Sequence, residues 1–248
     1  MVGTGSTESW SELHTRGEKA YAGGDFSESA KLFQAAADAA AHDRGEDSLA
    51  LATCLLGLAK AYVAEWDYGN AEMAYERALS IVGNPHAAAG PLLLACLKDM
   101  SLMYELKEDF PQAELAYERA LRYLNEQDRA DHADLVEIWG SLAELHHNAG
   151  SLEKSLEARL KVIALKQQHY GSEHPETAKT LIEFANICEE LGSLEQAEAS
   201  LRAAFAVLRN SFGPQDPRST ACLKHLMELQ DKLRKKNETA KTDILWTG

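Results

Sequence analysis

The chain has 248 residues, is 45% hydrophobic and 26% charged, and carries a formal net charge of −14. That composition belongs to a globular protein, and an acidic body of this size repels a phosphate backbone, so nucleic-acid binding is not expected. Thirty-nine Ala and 34 Leu stand against six Val and six Ile, which argues for helices and against a sheet. The apolar runs fall short of a membrane span, and the N-terminus does not pass from basic to apolar as a secretory signal does. A cytoplasmic protein without a membrane segment is therefore expected.

In chain order, residues 1–9 read as a flexible N-terminus. Their GTGS (3–6) is glycine-rich, but no strand precedes it and no Gly-Lys-Ser/Thr follows, so it is not a phosphate loop. From residue 10 onward a unit recurs with a period of 42 residues. Phe26, Tyr68, Phe110, Leu152 and Leu194 share one position, and Phe33, Tyr75, Tyr117, Arg159 and Leu201 share another. Gly17, Ala59, Ser101, Ala143 and Ala185 form a small-residue register, and AEMAYERAL (71–79) nearly repeats as AELAYERAL (113–121). The units are read as 10–50, 51–92, 93–134, 135–176 and 177–216.

Each unit reads as two helices. The first carries apolar residues at helical spacing, such as Leu55, Leu58, Ala59 and Tyr62. A short turn follows, at Gly24-Asp25, Trp66-Asp67, Glu108-Asp109, Gly150-Ser151 and Gly192-Ser193. The second helix carries, for example, Tyr68, Ala71, Tyr75, Ala78 and Leu79. One hairpin cannot bury its own apolar face, but stacked hairpins can. Asp216-Pro217 reads as an N-cap followed by Pro at the first helical position, with His174-Pro175 and Gly90-Pro91 at the same boundary. A last helix over 217–235 reads as a cap, and 236–248 as a flexible tail. That end is basic, with Lys232, Arg234, Lys235, Lys236 and Lys241, and it closes on Ile244-Leu245-Trp246, a segment that could dock in a groove.

Four cysteines stand at 54, 96, 188 and 222. Cys54, Cys96 and Cys222 occupy one register, so stacked hairpins hold them about 10 Å apart, beyond disulfide reach. They read as reduced, buried, small apolar residues. No C-x-x-C, H-E-x-x-H or G-x-S-x-G pattern occurs, and His146-His147 are adjacent on a helix and so point apart. No metal, cofactor or catalytic site is expected.

This repeat pattern resembles the tetratricopeptide repeat family over roughly residues 10–235. The 42-residue period and segments such as YGSEHPETAKTL (170–181) resemble its kinesin light chain subtype. The resemblance implies an all-α, right-handed superhelical solenoid of five helix hairpins plus a C-terminal capping helix. It also implies that the first helices line a concave groove. The paired asparagines of that subtype are absent: the corresponding pairs are Leu56-Gly57, Lys98-Asp99, Gly140-Ser141 and Ile182-Glu183. The architecture carries over, and the subtype's cargo preference does not.

On that geometry the groove is lined by Tyr21 in unit one, with His14 and Glu18 beside it. Unit two offers Leu56, Lys60 and Val63, and unit three Lys98, Leu102, Glu105 and Leu106. Unit four offers Glu137, Glu144, His147 and Asn148. Unit five offers Ile182, Asn186, Glu189 and Glu190, with Lys179 next to them. An apolar stretch followed by an acidic one suits a protein or peptide partner with an apolar anchor and a basic end. The full Lys/Asn/Arg clamp that some of the family use for a C-terminal carboxylate is absent. The expected function is a non-enzymatic protein–protein interaction adaptor. The alternatives are an assembly or self-association module using the convex face or tail, or a regulatory subunit of an enzyme complex.

Overall fold

A computed structural model describes residues 8–83, 89–126 and 132–246, with side chains through 238. Eleven helices occupy them: α1 (Trp10–Ala22), α2 (Phe26–Arg44), α3 (Leu49–Ala64), α4 (Tyr68–Val82), α5 (Gly90–Leu106), α6 (Phe110–Glu126), α7 (His132–Asn148), α8 (Leu152–Tyr170), α9 (Pro175–Glu190), α10 (Leu194–Phe212) and α11 (Pro217–Trp246). No strand occurs among the described residues. The helices divide between two compact units, residues 1–123 and 124–248, with the boundary near the end of α6.

The five hairpins are α1/α2, α3/α4, α5/α6, α7/α8 and α9/α10, and one turn closes them all. The amide of Asp25, Asp67, Asp109, Ser151 or Ser193 bonds back to the carbonyl of Ala20, Tyr62, Tyr104, His146 or Cys188, at 2.7–3.0 Å. This six-to-one bond requires a left-handed residue just before the closing amide. Gly24, Gly150 and Gly192 supply it at φ 80°, 71° and 73°, while Trp66 and Glu108 adopt it at φ 63° and 57°. A side chain in that region is strained, so units two and three hold the turn against a local cost. Side-chain caps start the helices: Ser9 and Glu12 form a reciprocal capping box on α1, while Asp25, Ser48 and Asp67 accept from the third residue onward. Pro175 and Pro217 open α9 and α11, and α5 starts one residue before Pro91.

In residues 1–123, α2 packs on α1 and α3, and α4 packs on α3 and α5. Ala36, Ala52, Ala59, Ala71, Ala78 and Cys54 are wholly buried in the interhelical contacts, with Phe33 and Tyr75 between them. Small residues let the backbones approach and the aromatics fill what is left. In residues 124–248, α8 packs on α7 and α9, and α10 on α9 and α11. Leu201, Ala204, Val207, Leu208, Cys222, Leu226 and Leu229 form the core under α11. One device recurs three repeats apart: buried Ser29 Oγ donates to the Gly17 carbonyl at 2.9 Å, and buried Ser155 Oγ to the Ala143 carbonyl at 2.6 Å. Each stitches a second helix to its first.

All four cysteines are free and buried. Burial pushes the Cys54 thiol up to about 11 and the Cys96 thiol, helped by nearby Asp99, up to about 12. The capping helix runs on to Trp246, past the 217–235 read from sequence. Because α11 continues as one helix, its polar second half stays on the helical path. The side chains beyond residue 238, Trp246 among them, lie outside the described residues.

Candidate functional site

Within each compact unit, two successive first helices leave a cleft between them, floored by the second helix of the earlier hairpin. In residues 1–123 one such cleft, of about 330 Å³, lies between α1 and α3 over α2. His14, Glu18 and Tyr21 are one face of α1; Thr53, Leu56, Gly57 and Lys60 are one face of α3; Phe33 is the floor. The Phe33 ring meets His14 edge-on at 5.1 Å and presses on α3 where Gly57 stands. A Cβ at position 57 would meet the ring at 2.5 Å, so the aromatic floor requires glycine opposite it. Leu56, expected at the groove surface, is nearly all buried and contributes to the cleft's base. Lys60 is held by Asp99 at 2.9 Å, so its charge is balanced inside the protein.

Further along, α5 carries Lys98, Leu102, Glu105 and Leu106. Leu102 and Leu106 are 51% and 56% exposed, one turn apart on the same stripe. Glu105 accepts from the Tyr117 hydroxyl at 2.8 Å, tying α5 to α6. Glu72 accepts from the Tyr104 hydroxyl and from Lys107; the tyrosine bond above all holds its carboxyl below the usual range, burial opposes it, and Lys107 adds a smaller lowering. Val63 and Lys98 are partly buried and line none of the clefts described here.

In residues 124–248 a smaller cleft of about 210 Å³ lies between α7 and α9 over α8. It brings together Glu144, His147, Asn148, Asn186 and Glu190, with Arg159, Glu183 and Ile187. Its charges are mutually engaged. Arg159, only 12% exposed, bonds Glu183 at 2.8 Å and reaches Glu144 at 3.6 Å, and His147 meets Glu190 at 2.8 Å. Glu189 is not part of this cleft. It turns to α11, where Lys232 bonds it at 2.9 Å and His225 makes a short contact. Burial raises its carboxyl, but the bonds from Lys232 and His225 outweigh that and hold it below its ordinary value. Glu137 is exposed on α7, away from the cleft.

A third pocket, of about 470 Å³, lies between α9, α10 and α11. Ile182 and Lys179 face it from α9, with Leu208 and Phe212 of α10 and Cys222 of α11. Sequence reasoning named Ile182 and Lys179 but not this pocket, because its floor comes from the late part of α10, outside the aligned register. It also missed Asp99 and Arg159 as charge partners. The signal was present: Arg159 interrupts the aromatic register, and Glu183 stands where Gly57 stands in unit two. Among the described residues, no three His, Cys, Asp or Glu side chains gather as a metal site. No described helix is long and apolar enough to cross a membrane.

Residues 134–210 match the family model described as tetratricopeptide repeat. No curated protein matches the chain by sequence. Among solved structures, the nearly identical TPR-like repeats of a Podosopora anserina kinesin light chain share 18% identity at a TM-score of 0.65, over 81% of this chain and 94% of that one. BtubC (BKLC) from P. vanneervenii shares 16% identity at a TM-score of 0.56, over 92% and 93%. The apo quorum sensor NprR from B. thuringiensis shares 18% at a TM-score of 0.56, over 89% of this chain and 58% of that one. These likenesses identify the fold as an all-α helical-repeat solenoid.

Proposed function

We propose that this chain, with its helical repeats and a tetratricopeptide repeat match over residues 134–210, is a non-enzymatic adaptor that holds a protein or peptide partner against its first helices. The observation that carries this is the exposure of Leu102 and Leu106. Their register positions are those of Lys60 and Glu144, and of Asn148 and Glu190, which line clefts where those are described. Two leucines half exposed on one stripe offer apolar area to a partner. The finer reading is a partner with an apolar anchor and a basic end. Tyr21, Leu102 and Leu106 supply apolar burial, and the acidic side chains Glu18, Glu137, Glu144 and Glu190 supply steering. The binding step is non-covalent, and the clefts present side chains that recognise rather than react. The buried, free thiols suit a reducing compartment, so we place the adaptor in the cytoplasm.

The test is a fluorescence-polarisation screen of a synthetic peptide library that varies apolar and basic positions independently. Two variants are compared with the wild type after both are shown to be folded: Leu102→Asp/Leu106→Asp and Glu144→Lys/Glu190→Lys. The adaptor reading expects peptides with an apolar anchor to lose affinity at least tenfold with the first variant, and their basic positions to lose their benefit with the second. Library peptides bound equally by all three proteins would sink it.

One observation favours a second reading, an assembly module. Trp66 is 72% exposed in a turn, and Met73 is similarly open on α4; neither lines a cleft described above. The Trp66 ring meets Tyr68 of its own hairpin edge-on, with ring centroids 6.2 Å apart. Sedimentation that depends on protein concentration, and that Trp66→Ser removes, would select this reading.

A further inference from the structure

The pocket between α9, α10 and α11 differs in chemistry from both clefts. Its walls are Ile182, Leu208, Phe212, Ala221 and Cys222, and polar groups stand at its rim. Most rim charges are already engaged. Glu176 takes Lys166 at 3.3 Å, and Asp216 takes Arg218 through two bonds, at 2.9 and 3.0 Å. His225 is taken by Glu189. Lys179 is exposed and, among the described residues, has no acidic partner.

Arg218 and His225 mark the pocket's span along α11. Arg218 lies over the Phe212 ring, its guanidinium carbon 3.3 Å from the centroid, and His225 stands two turns further on. Two turns of helix are about 10 Å. An apolar pocket of about 470 Å³ suits a discrete ligand. The charges that line the pocket favour an anion: Lys179 and Arg218 stand against Glu176, and with Glu176 taken by Lys166 and Arg218 by Asp216, Lys179 is the cation left to meet a ligand.

We propose that this pocket binds a small apolar monocarboxylate, with Lys179 holding the carboxylate and Ile182, Leu208, Phe212 and Cys222 enclosing the hydrocarbon. The site shares no residue with the leucine stripe of α5, so it stands or falls independently of the adaptor reading. Burial of the chain supplies affinity and the lysine selects the acid over a neutral analogue.

The experiment is isothermal titration of the full chain with hexanoate, octanoate and decanoate below their micelle thresholds, beside 1-octanol and an acetylated, amidated Ile-Asp dipeptide. Affinity is expected to rise about fourfold for each added methylene that the pocket buries. Lys179→Gln is expected to weaken octanoate about threefold, as suits an exposed ion pair, and to leave octanol unchanged. Ala221→Trp, at an exposed helical position, fills the pocket and is expected to weaken acid and alcohol alike more than tenfold. Circular dichroism confirms that both variants are folded. No octanoate binding at millimolar concentration overturns the proposal, as does binding that Ala221→Trp leaves unchanged. Octanoate affinity unaffected by Lys179→Gln removes the lysine's role and the choice of an acid. A dipeptide that binds more tightly than octanoate assigns the pocket to a peptide side chain instead.

Discussion

The cleft over α2 and the cleft over α8 are the same place in the repeat, 126 residues apart, built with opposite chemistry. Glu18, Tyr21, Phe33, Gly57 and Lys60 in one correspond to Glu144, His147, Arg159, Glu183 and Asn186 in the other. Phe33 fills the space between two helices because Gly57 leaves room for its ring. Arg159 fills the same space with a guanidinium, and Glu183 replaces the glycine with a carboxylate 2.8 Å away. Aromatic with glycine and arginine with glutamate are two solutions to one packing problem. The period therefore preserves volume and contact rather than residue type. It also leaves one cleft largely apolar and the other densely charged.

The largest effects come from breaking the pair in the first cleft. Phe33→Ala opens a cavity between α1, α2 and α3 and is expected to cost about 3–4 kcal/mol. Gly57→Glu drives a side chain into the ring and is expected to cost about 2–3 kcal/mol by overpacking and burial of charge. The sharper measurement is the double variant Phe33→Arg/Gly57→Glu, which transplants the second solution. If the two clefts are equivalent, urea unfolding gives the double variant a cost at least 1 kcal/mol smaller than the sum of its singles. Additive costs would mean that the register match has no energetic content.

The second cleft is broken by Arg159→Leu, the residue that Leu201 supplies one repeat later. Removing the arginine leaves Glu183 and Glu144 without their cation in a partly buried cleft. A fully buried pair would cost more, but Glu183 is about one-third exposed, so about 2 kcal/mol is expected. Arg159→Leu/Glu183→Ala removes both charges and is expected to recover most of that loss. A single variant as stable as the wild type would show that the ion pair merely tolerates its position.

Much of this was legible in the sequence. The 42-residue period places the five hairpins, their turns and the cysteine register, because each depends on local spacing and small residues that packing cannot spare. The site was less legible because a groove position defines a direction and not a partner. Leu56 is on the predicted stripe, but it sinks into the core beside Phe33. Lys60 and Glu189 are on it too, but Asp99 and Lys232 reach them from other helices 39 and 43 residues away in sequence. No one-helix periodicity carries those pairings. Trp66 shows the converse: its register position demands a left-handed backbone whatever the residue, and the side chain is left in solvent.

The turns extend the comparison. Glu108 holds the left-handed position that Gly24, Gly150 and Gly192 hold elsewhere, and Glu108→Gly relieves the strain without removing an interaction seen in the structure. It is expected to stabilise the chain by about 1 kcal/mol, with the reverse change, Gly150→Glu, costing a similar amount in thermal unfolding. Trp66→Gly gains less, because it gives up the contact with Tyr68. Equal effects at positions 66 and 108 would show that this contact contributes nothing.

The smallest effect separates α11 from the clefts by pH. Glu189 has its folded carboxyl below the ordinary value, so its bonds to Lys232 and His225 stabilise fully at pH above that value. Stabilisation is lost as pH falls through the folded value, when the carboxylate takes up a proton. Between pH 7 and pH 3, amide exchange in the first half of α11, once corrected for the fall in intrinsic exchange, is therefore expected to accelerate more than the corrected exchange in α3, whose buried leucines and alanines do not titrate. Glu189→Gln removes the titrating group, so in that variant the α11 rate, after correction for intrinsic exchange, loses this extra acceleration. An unchanged pH profile in the variant would assign the acid sensitivity of α11 to other carboxylates, with Asp216, held down to about 2 by Arg218, as the next to test.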